Sequence, residues 1–111
     1  MLTIESLKRY GAEVDKGLSR CANNEALYLR LVNVMLQELQ KDELGAALNA
    51  GDLEKAFAVA HKLKGGLTNL ALTPLSDPVS ELTELLRTKT PGDYAALHAV
   101  VVEKTNDLLA L

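Results

Sequence analysis

The chain has 111 residues, of which 48% are apolar, and a formal net charge of −3. A chain of this length and apolar content can form one domain, residues 1–111, whose hydrophobic core needs no disulfide or metal for stability. The negative net charge argues against nucleic-acid binding. No apolar run approaches the roughly 20 residues that span a bilayer. The single cysteine, Cys21, fits a reducing compartment, and the N-terminus lacks the pattern of a signal peptide. We therefore expect a cytoplasmic domain, either free-standing or part of a longer protein.

Two short helices are predicted at the N-terminus. Thr3 can cap a first helix that runs through about Tyr10 and that Gly11 ends. A second helix is predicted over roughly residues 13–21, where apolar side chains recur on one side.

The first long helix follows a cap at Asn23 or Asn24. The pattern predicts that it continues to Gly51, with a bend near Lys41 or Gly45. Its apolar spacing predicts an inner face that consists of Leu27, Leu31, Val34 or Met35, and Leu39.

The central helix begins after Asp52, a good N-cap. Its apolar residues are spaced three and four apart, which is typical of a helix with one buried face. This core stripe comprises Leu53, Ala56, Phe57, Ala60, Leu63, Leu67 and Leu70.

The next helix carries two start signals, Thr73–Pro74 and Asp77–Pro78. One apolar series passes through both, so we predict a single bent helix whose inner residues are Leu75, Val79, Leu82 and Leu86. Residues 90–92 are a loop, and Asp93 caps the last helix. The inner face of that helix is predicted as Tyr94, Leu97, Val100 or Val101, and Leu108.

Four amphipathic helices joined by short turns predict an all-α fold, an up-down antiparallel four-helix bundle. The one or two short N-terminal helices would cover one end of it. Nothing in the chain reads as a β-strand.

One patch of the central helix combines residue types that suit phosphoryl chemistry. His61, Lys64 and Gly65 are spaced so that they share a face. His61 lies about 100° from Ala60 of the core stripe, which places it at the edge or outside of the bundle. A site that accepts a phosphoryl group beneath a docked protein needs a nucleophile, a cation and free space beside them. The alternative is an ordinary surface histidine beside a solvated lysine.

The two glycines of this helix are costly, since each lowers helix stability by about 1 kcal/mol relative to alanine. Gly65 would leave the imidazole accessible, whereas tight helix packing remains the alternative for Gly66. Ala58, one turn before His61, is also small.

A neighbouring helix offers a candidate orienting group for the imidazole. If the chain turns near residue 72, residue 61 lies opposite residue 83 in an antiparallel pair. Thr83 or Ser80 is therefore predicted to hydrogen-bond the ring nitrogen that does not react.

The segment His61-Lys62-Leu63-Lys64-Gly65 resembles the signature of histidine-containing phosphotransfer (HPt) domains. The resemblance extends over about residues 5–110 through the helix pattern. It implies that His61 is the phosphoacceptor, that Lys64 interacts with the phosphoryl group and that Gly65 leaves room for it. The sequence departs from the family pattern at Ala71, where glycine is frequent, and at Pro78.

The resemblance also implies the partners: receiver domains of response regulators and hybrid sensor histidine kinases, between whose aspartates phosphate is relayed. Such a domain has no kinase activity of its own and needs no cofactor, because Mg²⁺ belongs to the receiver. We expect a monomer without direct membrane contact. The docking face would comprise Ala58, Lys62, Gly65, Thr68 and parts of the first long helix.

Two alternatives compete with this interpretation. A bundle of the same fold could dock a receiver or kinase without transferring phosphate. An independent hydrolytic enzyme would need a catalytic set that the sequence lacks. The two histidines, His61 and His98, and Cys21 are not spaced as zinc ligands, so no metal site is predicted.

Overall fold

The structure is a computed structural model that describes residues 2–90 and 92–111. Pro91, in the predicted loop, lies outside the described residues. The described chain is helical, with seven helices and no strand. They are α1 (Ile4–Tyr10), α2 (Val14–Arg20), α3 (Glu25–Lys41), α4 (Glu43–Asn49), α5 (Leu53–Asn69), α6 (Thr73–Arg87) and α7 (Tyr94–Leu109).

The four long helices form a closed ring of neighbours. Helix α5 packs against α6, α6 against α7, α7 against α3, and α3 against α5. The short α4 packs on α5 and α7, while α1 contacts α2 and α7, and α2 contacts α3. The prediction of an all-α four-helix bundle with short N-terminal helices is confirmed.

Most predicted helix ends are confirmed by their caps. The side chain of Thr3 accepts a hydrogen bond from the Ser6 amide, and the Thr3 amide donates one to the Ser6 hydroxyl, which closes a capping box. Gly11 ends α1 with a φ of 111°, a conformation that favours glycine. The side chains of Asn24, Asp52 and Asp93 each accept an amide hydrogen bond at the start of their helix.

The inner face of α3 differs from the prediction. The buried residues are Tyr28, Val32, Leu36 and Leu39, whereas Leu27, Leu31 and Met35 are only partly buried and Val34 is 50% exposed. Apart from Leu39, the predicted stripe is therefore wrong by about one residue. The physical reason is that α3 carries two adjacent apolar stripes, and the stripe that contains the aromatic ring of Tyr28 packs into the core.

Asp42 divides the predicted long helix in two. Its φ of 49° ends α3, and its carboxylate accepts a hydrogen bond from the Gly45 amide at 3.1 Å, which caps α4. The same carboxylate lies 2.8 Å from Nε2 of His98 on α7. A full break between two helices thus replaces the predicted bend.

The last two helices follow the prediction with small changes. Helix α6 is one helix through Pro78, and it starts at Thr73 with Leu72, not Thr73, at the N-cap. In α7, Val101 is buried and Val100 is 38% exposed, which decides between the two candidates.

Candidate functional site

One face of α5 opens into a surface depression. His61, Lys64, Gly65 and Thr68 recur at helical spacing and line it. Asn69 and Arg20 complete the lining of a depression of about 380 Å³. The structure thus brings together the predicted acceptor, cation and gap.

The imidazole of His61 is exposed and packs on one aromatic ring. Its ring packs on the ring of Phe57, one turn earlier, with centroids 5.7 Å apart and planes at 35°. Among the described residues it makes no hydrogen bond, so neither ring nitrogen is committed to a partner. A histidine in this state can act as a nucleophile towards a group brought in from solvent.

The predicted orienting contacts to His61 are absent from the described part of the chain. Thr83 is fully buried, and its hydroxyl donates to the carbonyl of Val79 at 2.6 Å. Ser80 is half-buried and makes no hydrogen bond with the imidazole. The prediction relied on register along the helix alone. Around the helix axis, Thr83 faces the core, where its hydroxyl bonds back to the preceding turn.

Lys64 lies at the edge of the depression, towards α6. Its Nζ is 4.0 Å from Oε1 of Glu84, and its side chain is 34% exposed. The same Glu84 oxygen lies 3.1 Å from Nη2 of Arg87, so the carboxylate is shared. An exposed pair of this length is weak, so Lys64 stays available to an anion in the depression.

The two glycines of α5 face different surroundings. A Cβ atom placed on Gly65 would meet no atom within 4 Å, so the space beside His61 is open. A Cβ atom placed on Gly66 would collide with Cε of Met35 on α3. Gly65 therefore leaves a gap at the site, and Gly66 permits close helix packing, the alternative that the sequence raised.

Of the other predicted docking residues, only Thr68 lines the depression. Ala58 is exposed on the turn before His61. Lys62 faces a separate cavity of about 60 Å³ beside α3 and α4, which Glu38 also lines. There the hydrogen bond from Lys41, 3.0 Å long, and secondarily the charges of Lys41 and Lys62 hold the pKa of Glu38 below its ordinary value.

An apolar groove adjoins the depression on the α3 side. It has a volume of about 180 Å³, and its apolar lining comprises Leu31, Val34, Met35, Gly66 and Leu70. Here the second apolar stripe of α3 reaches the surface, next to the face that carries His61.

Sequence reasoning missed Arg20. This residue ends α2, and its Nη1 donates to the carbonyl oxygens of Thr68 at 2.6 Å and Asn69 at 3.3 Å. The contact joins residues far apart in the chain, and no local pattern links an arginine in a short helix to a histidine in α5.

No metal site emerges within residues 2–90 and 92–111, where no three histidine, cysteine or acidic side chains cluster. His98 lies on α7, its side chain is 22% exposed, and it pairs with Asp42. None of the helices described is long and apolar enough to cross a membrane.

The model of the Hpt domain family matches residues 30–110. Because this match covers most of the chain, the protein belongs to the Hpt domain family. Hpt domains are phosphocarriers of phosphorelays and not kinases. No curated protein and no solved structure matched the chain. The match starts inside α3, so α1, α2 and Arg20 precede it.

Proposed function

We propose that this protein is a histidine phosphotransfer module that accepts a phosphoryl group on His61. The donor is the phosphoaspartate of a receiver domain, as in a hybrid sensor kinase, and the acceptor is the aspartate of a second receiver. The observation that carries the proposal is the exposed imidazole of His61, which makes no hydrogen bond with the described residues and lies beside a lysine and an open gap.

The reaction follows from these groups. The unprotonated ring nitrogen of His61 attacks the phosphorus atom in line, and the bond between phosphorus and the aspartate oxygen breaks. The carboxylate leaves, and the proton on the other ring nitrogen can pass to solvent. The phosphoryl group carries close to two negative charges, by analogy with other phosphorylated side chains, and Lys64 offsets part of them.

The remaining catalytic groups belong to the receiver in this proposal. It brings Mg²⁺ and the aspartate, so the Hpt domain needs no cofactor and has no kinase activity of its own. Its contribution is an exposed nucleophile that can enter another protein's pocket. Gly65 supports this role, since a larger side chain there would fill the gap beside the imidazole.

The proposed docking face surrounds His61. Gly65 and Thr68 line the depression, and Ala58 and Lys62 are exposed on the same helix. The face also includes the apolar groove of Leu31, Val34 and Met35 on α3. Apolar side chains beside a reactive centre suit a small interface that forms and dissociates quickly. We further propose a cytoplasmic monomer that binds receivers and neither nucleic acid nor membrane.

The test is transfer from a panel of phosphorylated receiver domains, with retained phosphate measured as acid-labile, base-stable label. We expect label on the wild type and none on His61→Gln. The matched control is His98→Gln, which removes the other histidine and should keep the label.

Two outcomes would contradict the proposal. Label that persists on His61→Gln would show that another residue accepts the phosphoryl group. A wild type that binds receivers in a titration but takes no label would support a docking bundle without phosphotransfer.

A further inference from the structure

The ring of His61 is in contact with the ring of Phe57, one turn earlier on α5. The two centroids are 5.7 Å apart and the planes meet at 35°, within the distances at which aromatic rings attract each other. Side chains of a helix lean towards its N-terminus, which directs the imidazole onto the turn that carries Phe57. The contact therefore follows from the helical spacing of these two residues.

The other positions one turn away from His61 do not restrict its ring. These are positions 58, 64 and 65. Ala58 has a single methyl group, and Gly65 has no side chain. Lys64 has a long, flexible chain that does not impose a rotamer on a neighbour. In the described part of the chain the imidazole also makes no hydrogen bond, so Phe57 is left as the group that sets its direction.

The hydrophobic core holds Phe57 in place. The predicted core stripe includes Phe57, but its side chain is only half-buried. It packs against the core on the side of the helix where Ala56 and Ala60 are fully buried. The remaining part of the residue lies towards the surface, where the imidazole of His61 is found. Since cores are closely packed, Phe57 offers the imidazole a support with little freedom to move.

We propose that Phe57 is a positioning residue for phosphoryl transfer, which holds the imidazole of His61 in one rotamer by ring packing. This inference rests on the proposed function. An exposed side chain without such a contact samples several staggered rotamers. Only some of these rotamers aim a ring nitrogen at the phosphorus atom of a docked receiver, so restricting them raises the rate of transfer.

The contact with Phe57 leaves the reacting atoms free. A phenyl ring has no hydrogen-bonding atom, so it engages neither nitrogen of the imidazole. A hydroxyl partner, as predicted at Thr83 or Ser80, would engage one nitrogen and fix the tautomer. Phe57 therefore restrains the direction of the His61 ring without selecting the nitrogen that attacks.

The test compares two phosphoryl donors on the full chain. Transfer from a phosphorylated receiver needs the imidazole in the geometry that the docked protein imposes. Phosphoramidate is a small donor that can approach the ring in any rotamer. In that reaction the bond between the His61 nitrogen and phosphorus forms, the phosphorus–nitrogen bond of phosphoramidate breaks, and ammonia leaves. Loss of positioning slows the first reaction and spares the second, whereas a change in the reactivity of the imidazole alters both.

We expect Phe57→Leu to lower the transfer rate at saturating receiver by about 2–13-fold, which corresponds to the free energy of an aromatic pair. The half-saturating receiver concentration and the phosphoramidate rate should stay close to those of the wild type. Phe57→Tyr keeps the ring and should transfer at nearly the wild-type rate. The matched control is Leu53→Ala, which shortens another partly buried side chain one turn before Phe57 and should leave the saturating rate unchanged.

NMR provides a readout that does not depend on transfer. The couplings between the α and β protons of His61 report the populations of its χ1 rotamers. We expect one dominant rotamer in the wild type, in Phe57→Tyr and in Leu53→Ala, and averaged couplings in Phe57→Leu. A residue that only supports the fold would not change these couplings in a folded variant.

Phe57→Met is a second variant without a ring, so the result does not depend on one substitution folding. Thermal melts monitored by circular dichroism show which variants are folded. Couplings and saturating rates of Phe57→Leu and Phe57→Met equal to those of the wild type would overturn the role of Phe57 and leave the proposed function intact. A wild type whose His61 takes no phosphoryl group from receivers would overturn both.

Discussion

Gly65 and Gly66 are neighbours in the chain and lie on different surfaces of α5. Gly65 opens onto the depression beside His61, and Gly66 lies under Met35 of α3. Successive helical residues point about 100° apart, so one step along the sequence separates a reactive face from a packed face. The same residue type meets two demands here: space for an incoming group and close approach of a helix.

The two histidines, His61 and His98, show the same contrast between a reactive face and a packed face. His61 is exposed and makes no hydrogen bond with the described residues, while His98 is 22% exposed and its Nε2 is 2.8 Å from the Asp42 carboxylate. A nitrogen engaged by a carboxylate is a poor nucleophile towards a docked partner. The contrast shows that environment, more than residue type, separates the candidate acceptor from a structural histidine.

The largest effects are expected when each glycine is replaced by leucine. Gly65→Leu fills the gap and should slow receiver-to-His61 transfer more than tenfold, because a docked partner must approach within bonding distance. Stability should rise by up to about 1 kcal/mol from the gain in helix propensity. Gly66→Leu gains the same helix propensity, but its side chain must displace the flexible end of Met35, so its stability should rise by less than that of Gly65→Leu.

Initial transfer rates and urea unfolding of both variants measure the two effects. Met35→Ala combined with Gly66→Leu is the matched control, and its stability should exceed the sum of the two single effects because the shorter side chain makes room for the leucine. Equal transfer rates for Gly65→Leu and the wild type would contradict the open-gap role of Gly65.

A second effect is expected on the packed side, at Tyr28. Tyr28→Phe leaves the Leu70 carbonyl without the phenol donor in a buried site and should cost about 1–3 kcal/mol. Burial, with a smaller contribution from Cys21, raises the pKa of the Tyr28 phenol to about 12, above its unfolded value of about 10. The neutral phenol is thus favoured in the folded state.

The pH dependence follows from this sign. The stabilisation is fully present below pH 10 and is lost as the pH rises towards about 12, by up to about 1.4 kcal/mol per pH unit. Tyr28→Phe should flatten this alkaline slope, as urea unfolding between pH 9 and 11 would measure. Tyr94→Phe, at a partly exposed position, is the control and should change stability less. An unchanged slope in Tyr28→Phe would contradict the assignment.

Much of the fold and of the candidate site could be predicted from the sequence, because both depend on contacts between residues close together in the chain. Caps at Thr3, Asn24, Asp52 and Asp93 mark helix starts through contacts within three residues. The placement of His61 beside Lys64 and Gly65 also needs only the helical repeat. These features depend on short stretches of chain, so they can be read without tertiary structure.

The failures concern contacts between elements. The apolar spacing of α3 fits two stripes, and only packing against the turn after α5 selects the one with Tyr28. The predicted partnership of Thr83 with His61 fails because rotation around α6 turns the hydroxyl to the core. Arg20 and the His98–Asp42 pair join distant segments, for which one sequence carries no signal.

The smallest expected effect concerns Glu84, at the border between the reactive face and α6. Its carboxylate lies 4.0 Å from Lys64 Nζ, so it competes with a phosphoryl group for that cation. Glu84→Gln removes this competition, and exposed pairs of this kind are worth about 0.2–1 kcal/mol. We therefore expect the transfer equilibrium to shift towards phosphorylated His61 by a factor of about 1.5–5. The ratio of labelled Hpt domain to labelled receiver at equilibrium measures the shift.

Arg87→Gln is the matched control, since it removes the other partner of Glu84 and strengthens the attraction between Glu84 and Lys64. It should shift the ratio slightly in the opposite direction, and a shift in the same direction would exclude competition for Lys64 as the cause.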